Sequence, residues 1–274
     1  MSARPPRTYL FVPANRPERY AKALVSGADA VVIDLEDAVA DEAKADARDQ
    51  LANWAASASP ADRGRCAVRI NAAGSRFHAD DLRMLREAGW PLVMLAKAES
   101  VDELAAAAQA LPGARWLALI ESARGVASVD AIARCADVER LVFGTLDLAL
   151  DLDLDIATGS DGLSHAASRL VLASKLAGLA SPVSGVTPQI DDEARLLADL
   201  AWSRRHGMHA RLCIHPRQIA PIHAALAPDA QALDWARRGL AAEAASPGAA
   251  QLDGRMIDRP VVLQAQRTLQ RGEG

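Results

Sequence analysis

The feature that most constrains the fold is a regular alternation of eight short apolar runs with longer, alanine-rich amphipathic stretches. The apolar runs are 8–13, 30–35, 66–71, 91–97, 116–122, 140–147, 182–187 and 210–216. The stretches with helical spacing of apolar residues are 17–26, 39–58, 78–88, 99–110, 123–135, 161–179, 191–206 and 216–226. Apolar strands that alternate with helices are typical of a parallel sheet covered by helices. Eight such units in 274 residues favour an α/β fold of the closed (β/α)8 TIM-barrel type over an open sheet.

The last part of the chain lies beyond the eighth unit. The segment "SPGAAQLDG" at 246–254 predicts a flexible connection, and a further amphipathic segment follows it. We therefore predict a barrel catalytic domain at 1–227 and a C-terminal helical arm at 228–274.

Composition and missing motifs disfavour several functional classes. The net charge of −4 and the lack of a Lys/Arg block disfavour a nucleic-acid partner. Three widely spaced cysteines without CxxC spacing disfavour a disulfide framework or a zinc site. No GxGxxG motif follows the first apolar run, which disfavours a dinucleotide-binding domain. No long apolar segment predicts a signal peptide or a membrane span. We expect a cytoplasmic protein without a membrane partner.

Polar residues cluster at the ends of seven of the eight apolar runs. Barrel enzymes carry their chemistry at the C-terminal ends of the strands, so these residues would share one rim. A barrel that served only as a scaffold would not need them there. The rim residues are Asn15, Arg16, Arg19, Asp34, Glu36, Asp37, Arg69, Asn71, Lys97, Glu121, Asp147 and His215.

Glu121 and Asp147 are the best candidate metal ligands. Each is a single carboxylate that follows an otherwise apolar run, and the fifth and sixth strands of a barrel are neighbours. Mg²⁺ prefers oxygen ligands and is usually held by one or two carboxylates together with water and substrate. We predict a Mg²⁺ site, with Mn²⁺ as an alternative ion. A helix N-cap role for each carboxylate is the competing interpretation.

Arg69 lies inside an apolar run, and a buried arginine requires an anion because an unpaired buried charge is very costly. That anion is either a substrate carboxylate or a nearby acid. The structural alternative is an ion pair with Glu36 or Asp37. Both interpretations hold together if Asp34, Glu36 and Asp37 orient Arg69 and the waters of the metal.

Arg16, Arg19 and Lys22 form a small basic cluster on the first loop and helix. The phosphates of a carrier would fit there, and a solvated helix face is the alternative. With Asn71 and Lys97 at the rim, these residues are our candidate contacts to a substrate and its carrier.

Several motifs resemble those of the HpcH/HpaI aldolase–citrate lyase family, in its citrate lyase β-subunit-like branch. They run in order over nearly the whole chain: "RTYLFVPANRPERYAKAL", "ADAVVIDLEDAVADEAKADAR", "VRIN", "LIESARG", "FGTLDLALDL", "IHPRQI" and "DGRMIDRPVVLQAQ". The resemblance implies a (β/α)8 barrel that forms a homotrimer or hexamer, with one Mg²⁺ per site. It also implies carbon–carbon lyase chemistry beside a thioester carbonyl, in substrates such as citryl-, malyl- or citramalyl-CoA.

The resemblance further assigns roles to single residues. Glu121 and Asp147 match the family's metal ligands, and Arg69 matches its substrate-contacting arginine. The acids of "DLED" match its acidic loop near the metal. Asp258, in "MIDRP", matches an aspartate that enters the neighbouring subunit's site as acid or base, so the arm would be an exchanged lid.

The chain departs from the family pattern near four strands, without losing a proposed metal ligand. Ala96 precedes Lys97 where proline is usual, and Leu146 stands where an acid usually precedes the metal aspartate. Ser184 replaces a frequent aspartate, and Ala210–Arg211 replaces Gly-Lys.

Three other functions stay open at this point. The first is the β-subunit of a larger lyase that uses an acyl-carrier-protein thioester. The second is a metal-dependent aldolase that acts on free pyruvate-type acids, for which Asp258 and the basic cluster would be dispensable. The third is a catalytically silent binding protein, which predicts no Mg²⁺ binding.

Overall fold

The computed structural model describes residues 5–246, 248 and 250–272, and it confirms the predicted barrel. Eight parallel strands pair in chain order, and β1 closes the barrel against β8. The strands are β1 (Thr8–Pro13), β2 (Ala30–Asp34), β3 (Cys66–Ile70), β4 (Leu92–Leu95), β5 (Arg115–Ile120), β6 (Val138–Phe143), β7 (Val183–Ser184) and β8 (Ala210–Cys213).

Helices cover the outside of this barrel, as the amphipathic stretches predict. They are α1 (Tyr20–Leu24), α2 (Lys44–Ser57), α3 (Pro60–Gly64), α4 (His78–Ala88), α5 (Val101–Ala110), α6 (Ala123–Ile132), α7 (Thr145–Asp151), α8 (Ser164–Leu176), α9 (Glu193–Arg205) and α10 (Ile219–Leu226). Among the described residues, none of the helices has the length and apolar character needed to cross a membrane.

Side chains of alternate strand residues fill the barrel interior. Successive side chains of a strand point to opposite faces, so each strand gives one set to the interior and the other to the helices. The interior cluster is Tyr9, Ala30, Val32, Ala67, Leu92, Met94, Leu117, Leu119, Val142, Val183, Ala210 and Leu212. The second set includes apolar residues that pack against the helices. Because both faces of a strand are then apolar, each strand corresponds to a continuous apolar run in the sequence.

Two elements differ from the sequence-based prediction. The sixth run was expected to continue to 147, but β6 ends at Phe143 and α7 begins at Thr145. An apolar run that passes from strand to helix has no break in composition, so periodicity misses the change. The seventh strand contains only Val183 and Ser184.

Contacts divide the chain into two compact units, Met1–Ile222 and His223–Gly274, with the division shortly before the predicted boundary at 227. The second unit holds α11 (Ala230–Ala245), an antiparallel hairpin of β9 (Ala250–Leu252) and β10 (Arg255–Ile257), and α12 (Arg259–Gly272). The expected flexible connection at 246–254 is therefore wrong over its second half. Asp253 and Gly254 both have positive φ, which is the hairpin turn that an Asp-Gly pair favours.

Candidate active site

A cavity of about 380 Å³ lies at the C-terminal ends of the barrel strands. This is the end at which barrel enzymes place their active sites. Five predicted site residues line the cavity: Asp34, Asp37, Arg69, Glu121 and Asp147. The structure therefore brings the central acidic and basic candidates together around one space.

Glu121 and Asp147 follow neighbouring strands, since β5 pairs with β6 up to Ile120 and Phe143. Glu121 comes directly after β5 and is 3 % exposed, whereas Asp147 is half-buried in the first turn of α7. Neither carboxylate caps a helix. Ser122 caps α6 by accepting a hydrogen bond from the backbone N–H of Gly125, and Gly144 is the N-cap residue of α7. The structure removes the capping explanation for both acids.

Gly144 makes room for the Glu121 carboxylate. A Cβ atom added at Gly144 would lie 2.4 Å from Oε2 and 2.4 Å from Cβ of Glu121, which no side chain tolerates without movement. The other carboxylate oxygen, Oε1, accepts a hydrogen bond of 2.9 Å from the backbone N–H of Lys97. Lys97 has a φ of 48°, an uncommon left-handed conformation that directs this N–H at Glu121.

The electrostatic environment of Glu121 disfavours its charged form. Burial, together with the charges of Glu36 and Asp147, raises the pKa of Glu121 to about 8. A cation beside the carboxylate would reverse this effect. Among the described residues, no group of three or more His, Cys, Asp or Glu side chains is arranged to hold a metal. Two carboxylates that leave positions for water and substrate nevertheless fit the coordination habit of Mg²⁺.

Arg69 pairs mainly with Asp34, whereas the sequence pointed to Glu36 or Asp37 as its ion-pair partner. Its Nε donates to Oδ1 of Asp34 at 2.8 Å, and Nη2 donates to Oδ2 at 2.6 Å. This is a bidentate, nearly buried pair, the strongest geometry for arginine and carboxylate. Nη1 of Arg69 contacts Glu36 at 2.8 Å and Asp37 at 3.5 Å. The expected ion pairs with Glu36 and Asp37 are thus present beside the stronger one.

Glu36 joins the two basic residues of the rim. Its Oε1 accepts a hydrogen bond of 2.7 Å from Nζ of Lys97, while Oε2 faces Arg69. Although burial lowers the pKa of Lys97, the hydrogen bond and charge of Glu36 raise it to about 12, so Lys97 stays charged. The buried Lys44 holds the acidic loop by donating to the backbone oxygens of Leu35 and Glu36 at 2.8 Å each. Lys44 lies within one of the motifs quoted above, but nothing in the sequence assigned it a role.

Asn71 is placed for a structural role. Its side-chain amide donates to Oδ2 of Asp81 at 2.6 Å and to the backbone oxygen of Leu35 at 3.1 Å. Both amide hydrogens are therefore used, and Asn71 is not among the residues that line the cavity.

The basic cluster belongs to the barrel unit, and the arm residue Asp258 belongs to the second unit. Arg16, Arg19 and Lys22 are exposed on the first loop and α1, and none of them lines the cavity. Asp258 is exposed in the second unit, where its carboxylate caps α12 by accepting a hydrogen bond of 3.2 Å from the backbone N–H of Val261. Their roles in carrier binding and acid–base chemistry stay predictions.

Comparison with known proteins identifies the family. The model of the family described as "HpcH/HpaI aldolase/citrate lyase" matches residues 7–216. A "Citrate lyase subunit beta-like protein" of Mycobacterium tuberculosis is 36 % identical over 268 residues, which covers 96 % of this chain and 94 % of that protein. A "(3S)-malyl-CoA thioesterase" of Cereibacter sphaeroides is 30 % identical over 99 % of this chain and 96 % of its own length.

Solved structures agree with this result. The protein CitE from M. tuberculosis, in complex with magnesium, acetoacetate and coenzyme A, has a TM-score of 0.87 and 36 % identity, with 98 % of each chain covered. The chain belongs to the HpcH/HpaI aldolase/citrate lyase family, as the motifs indicated, and it is an enzyme of that family.

Proposed function

We propose that this enzyme is a Mg²⁺-dependent carbon–carbon lyase of 3-hydroxyacyl thioesters, with citryl-, malyl- or citramalyl-CoA as the substrate class. The observation that carries the proposal is that Glu121, directly after β5, and Asp147, in the first turn of the helix after the neighbouring β6, line one cavity with Arg69. Relatives whose names or structures include malyl-CoA, magnesium and coenzyme A support it.

Glu121 and Asp147 would hold the ion. Their oxygens are the ligands that Mg²⁺ prefers, and Gly144 leaves the space in which the Glu121 carboxylate lies. The bound ion would supply Lewis-acid chemistry that lowers the pKa of the substrate hydroxyl group. The hydrogen bond from the backbone of Lys97 fixes one oxygen of Glu121 and so orients the carboxylate.

The remaining steps belong to side chains of this protein. A base removes the proton of the substrate hydroxyl, and Asp258 of a neighbouring subunit is our candidate. The bond between the hydroxyl-bearing carbon and the carbon next to the thioester carbonyl then breaks, giving a keto acid and the enolate of an acyl thioester. The enolate carbon takes up a proton to complete the products. The reverse reaction is a Claisen-type condensation.

Arg69 would stabilise the negative charge that develops on the thioester oxygen. Its bonds to Asp34 use two of its five N–H groups and hold the guanidinium plane in place. A donor fixed in this way needs no reorganisation during the reaction, and such electrostatic stabilisation contributes several kcal/mol in comparable sites. Asp34, Glu36 and Asp37 would therefore act by orienting Arg69.

The test is a mass-spectrometric cleavage assay with malyl-CoA, citramalyl-CoA and citryl-CoA, each with Mg²⁺ and with EDTA. We expect metal-dependent release of an acyl-CoA and a keto acid from at least one substrate. Glu121→Gln should abolish the release, whereas Asp137→Asn, which does not line the cavity, should not. No cleavage of any substrate by protein that binds Mg²⁺ would contradict the proposal and favour an acyl-carrier-protein thioester.

A further inference from the structure

The lining of the active-site cavity has a charged side and an apolar side. Its five charged residues lie in or after β2, β3, β5 and β6. The strands that complete the closed barrel are β7, β8 and β1, and the residues that they contribute to the lining carry no charge. The side chains of this apolar wall are Phe11, Pro13, Val186, Leu212 and Ile214. No step of the proposed reaction uses them.

The apolar wall has no cation within reach. Arg69 is the only basic residue among the described residues that line the cavity, and its guanidinium already pairs with buried carboxylates. Lys97 is held by Glu36 after β4, which lies across the eight-stranded barrel from β8. Arg211 of β8 is turned outward, because its neighbour Leu212 belongs to the interior cluster. A negative charge placed against the wall would therefore meet no positive side chain.

The substrate presents one group to this wall. The hydroxyl-bearing carbon of a 3-hydroxyacyl thioester has four substituents. In the proposed reaction the carboxylate and the hydroxyl face Glu121 and Asp147, where the ion would be bound, and the thioester arm faces Arg69. Three substituents are thus directed to the charged side of the cavity. Because the four bonds of this carbon point to the corners of a tetrahedron, the fourth substituent is directed to the apolar wall.

We propose that the apolar wall selects substrates whose fourth substituent is a small alkyl group, so that the enzyme prefers citramalyl-type thioesters to malyl-type and citryl-type ones. This inference rests on the lyase function proposed above. A citramalyl thioester carries a methyl group at this position, which covers apolar surface. A malyl thioester carries only hydrogen and leaves the wall in contact with water. A citryl thioester carries a carboxymethyl group, whose charge would lose water without gaining a partner.

The expected selectivity follows from these contacts. A single methyl or methylene group in an apolar pocket changes kcat/KM by about 10–200-fold. Ile214 is 37 % exposed, so the wall is partly open to solvent and the lower end of this range applies. We expect kcat/KM for citramalyl-CoA to exceed that for malyl-CoA about tenfold. The advantage over citryl-CoA should be about a hundredfold or more, because an unpaired charge is costlier to desolvate than hydrogen.

The kinetic test measures kcat/KM with the three CoA thioesters for the wild type and for Ile214→Arg. The half-exposed position of Ile214 gives a longer side chain access to solvent, and arginine adds the cation that the wall lacks. The variant should lower kcat/KM for citramalyl-CoA and raise it for citryl-CoA, which reverses their order. Ile190→Arg is the matched control, because it adds the same charge at an exposed isoleucine that does not line the cavity, and it should keep the wild-type order.

A binding measurement separates this inference from the lyase function. Calorimetry compares the affinity of the Mg²⁺-loaded protein for pyruvate and for oxaloacetate at constant free Mg²⁺. These keto acids carry the same fourth substituent as citramalyl-CoA and citryl-CoA. We expect pyruvate to bind about tenfold more tightly or better, and Ile214→Arg to reverse the preference.

The possible outcomes decide between the two proposals. The selectivity is overturned if malyl-CoA or citryl-CoA is cleaved as efficiently as citramalyl-CoA, or if oxaloacetate binds as tightly as pyruvate. The wild-type order is sufficient for this decision even if Ile214→Arg does not fold. A preference for pyruvate without cleavage of any thioester would contradict the lyase function and leave the selectivity of the wall in place. The absence of both cleavage and keto-acid binding would contradict both.

Discussion

The affinity of the enzyme for Mg²⁺ should depend strongly on pH, and the cause is the environment of Glu121. Burial and the charges of Glu36 and Asp147 raise the pKa of Glu121 to about 8 in the metal-free protein. A carboxylate must lose its proton before it can coordinate a metal, so Mg²⁺ and the proton compete for the same oxygens. Below pH 8 most Glu121 side chains of the metal-free protein carry a proton, which Mg²⁺ must displace.

The size of the effect follows from that pKa. At pH 7 about nine-tenths of Glu121 is protonated, so each Mg²⁺ that binds should release about 0.9 proton from this side chain. The apparent dissociation constant should fall about tenfold per pH unit below 8 and level off above it. Between pH 6 and pH 8 the total gain in affinity is roughly fiftyfold.

Isothermal titration calorimetry at pH 7 measures the proton release directly. The enthalpy of Mg²⁺ binding is compared in PIPES and Tris, which differ in their own enthalpy of ionisation, and the difference gives the number of protons released. The titration is then repeated from pH 6 to pH 9. A constant affinity between pH 6 and pH 8, with no proton released, would show that Glu121 is already ionised or is not a ligand. Glu121→Gln is the control and should bind no Mg²⁺.

Three further predictions follow from the same structure. In EDTA, thermal stability should fall as pH rises from about 4.5 to 8, because the folded protein holds a proton on Glu121 that the unfolded chain releases. Added Mg²⁺ should remove this dependence of stability on pH. If the dependence persists in Glu121→Gln, Glu121 is not its cause. Gly144→Ala should cost about 1–3 kcal/mol in urea unfolding and weaken Mg²⁺ binding, since its Cβ would meet Glu121, whereas Gly74→Ala has open space and should change neither. Asp258→Asn should lower kcat about 10²–10⁴-fold if Asp258 is the acid or base, with an unchanged Tm because asparagine also caps a helix. The matched cap variant Asp229→Asn should leave kcat unchanged, and equal activity of both variants would assign Asp258 a structural role only.

The barrel was predictable because its signal is repeated eight times. A single apolar run is ambiguous between strand and helix, but eight runs that alternate with amphipathic stretches leave few alternative topologies. The misses occur where one element passes into the next. The start of α7 at Thr145 lies inside an apolar run, and the hairpin of β9 and β10 lies inside a segment whose small residues resemble a linker. The Asp253–Gly254 pair was the available signal for that hairpin.

The sequence predicted which residues lie at the site better than it predicted which of them form ion pairs. The sequence places carboxylates at strand ends, and the topology of the barrel brings them together. The sequence alone does not show which acid faces Arg69, because that depends on the direction of the side chains at the end of β2. Asp34 and Arg69 are register partners on adjacent strands, which explains why they form the bidentate pair. Lys44 holds the acidic loop from the start of α2. The sequence of a helix does not distinguish a lysine that faces the protein from one that faces solvent.

The charge of the ion-pair cluster at the cavity offers a reason for a divalent ion that is independent of family resemblance. In the ion-pair cluster at the active-site cavity, five acidic side chains lie with three basic ones, which leaves two negative charges when all are ionised: Asp34, Glu36, Asp37, Glu121 and Asp147 against Lys44, Arg69 and Lys97. A substrate with a carboxylate would be repelled from this group unless a cation bound first. One Mg²⁺ balances the two charges.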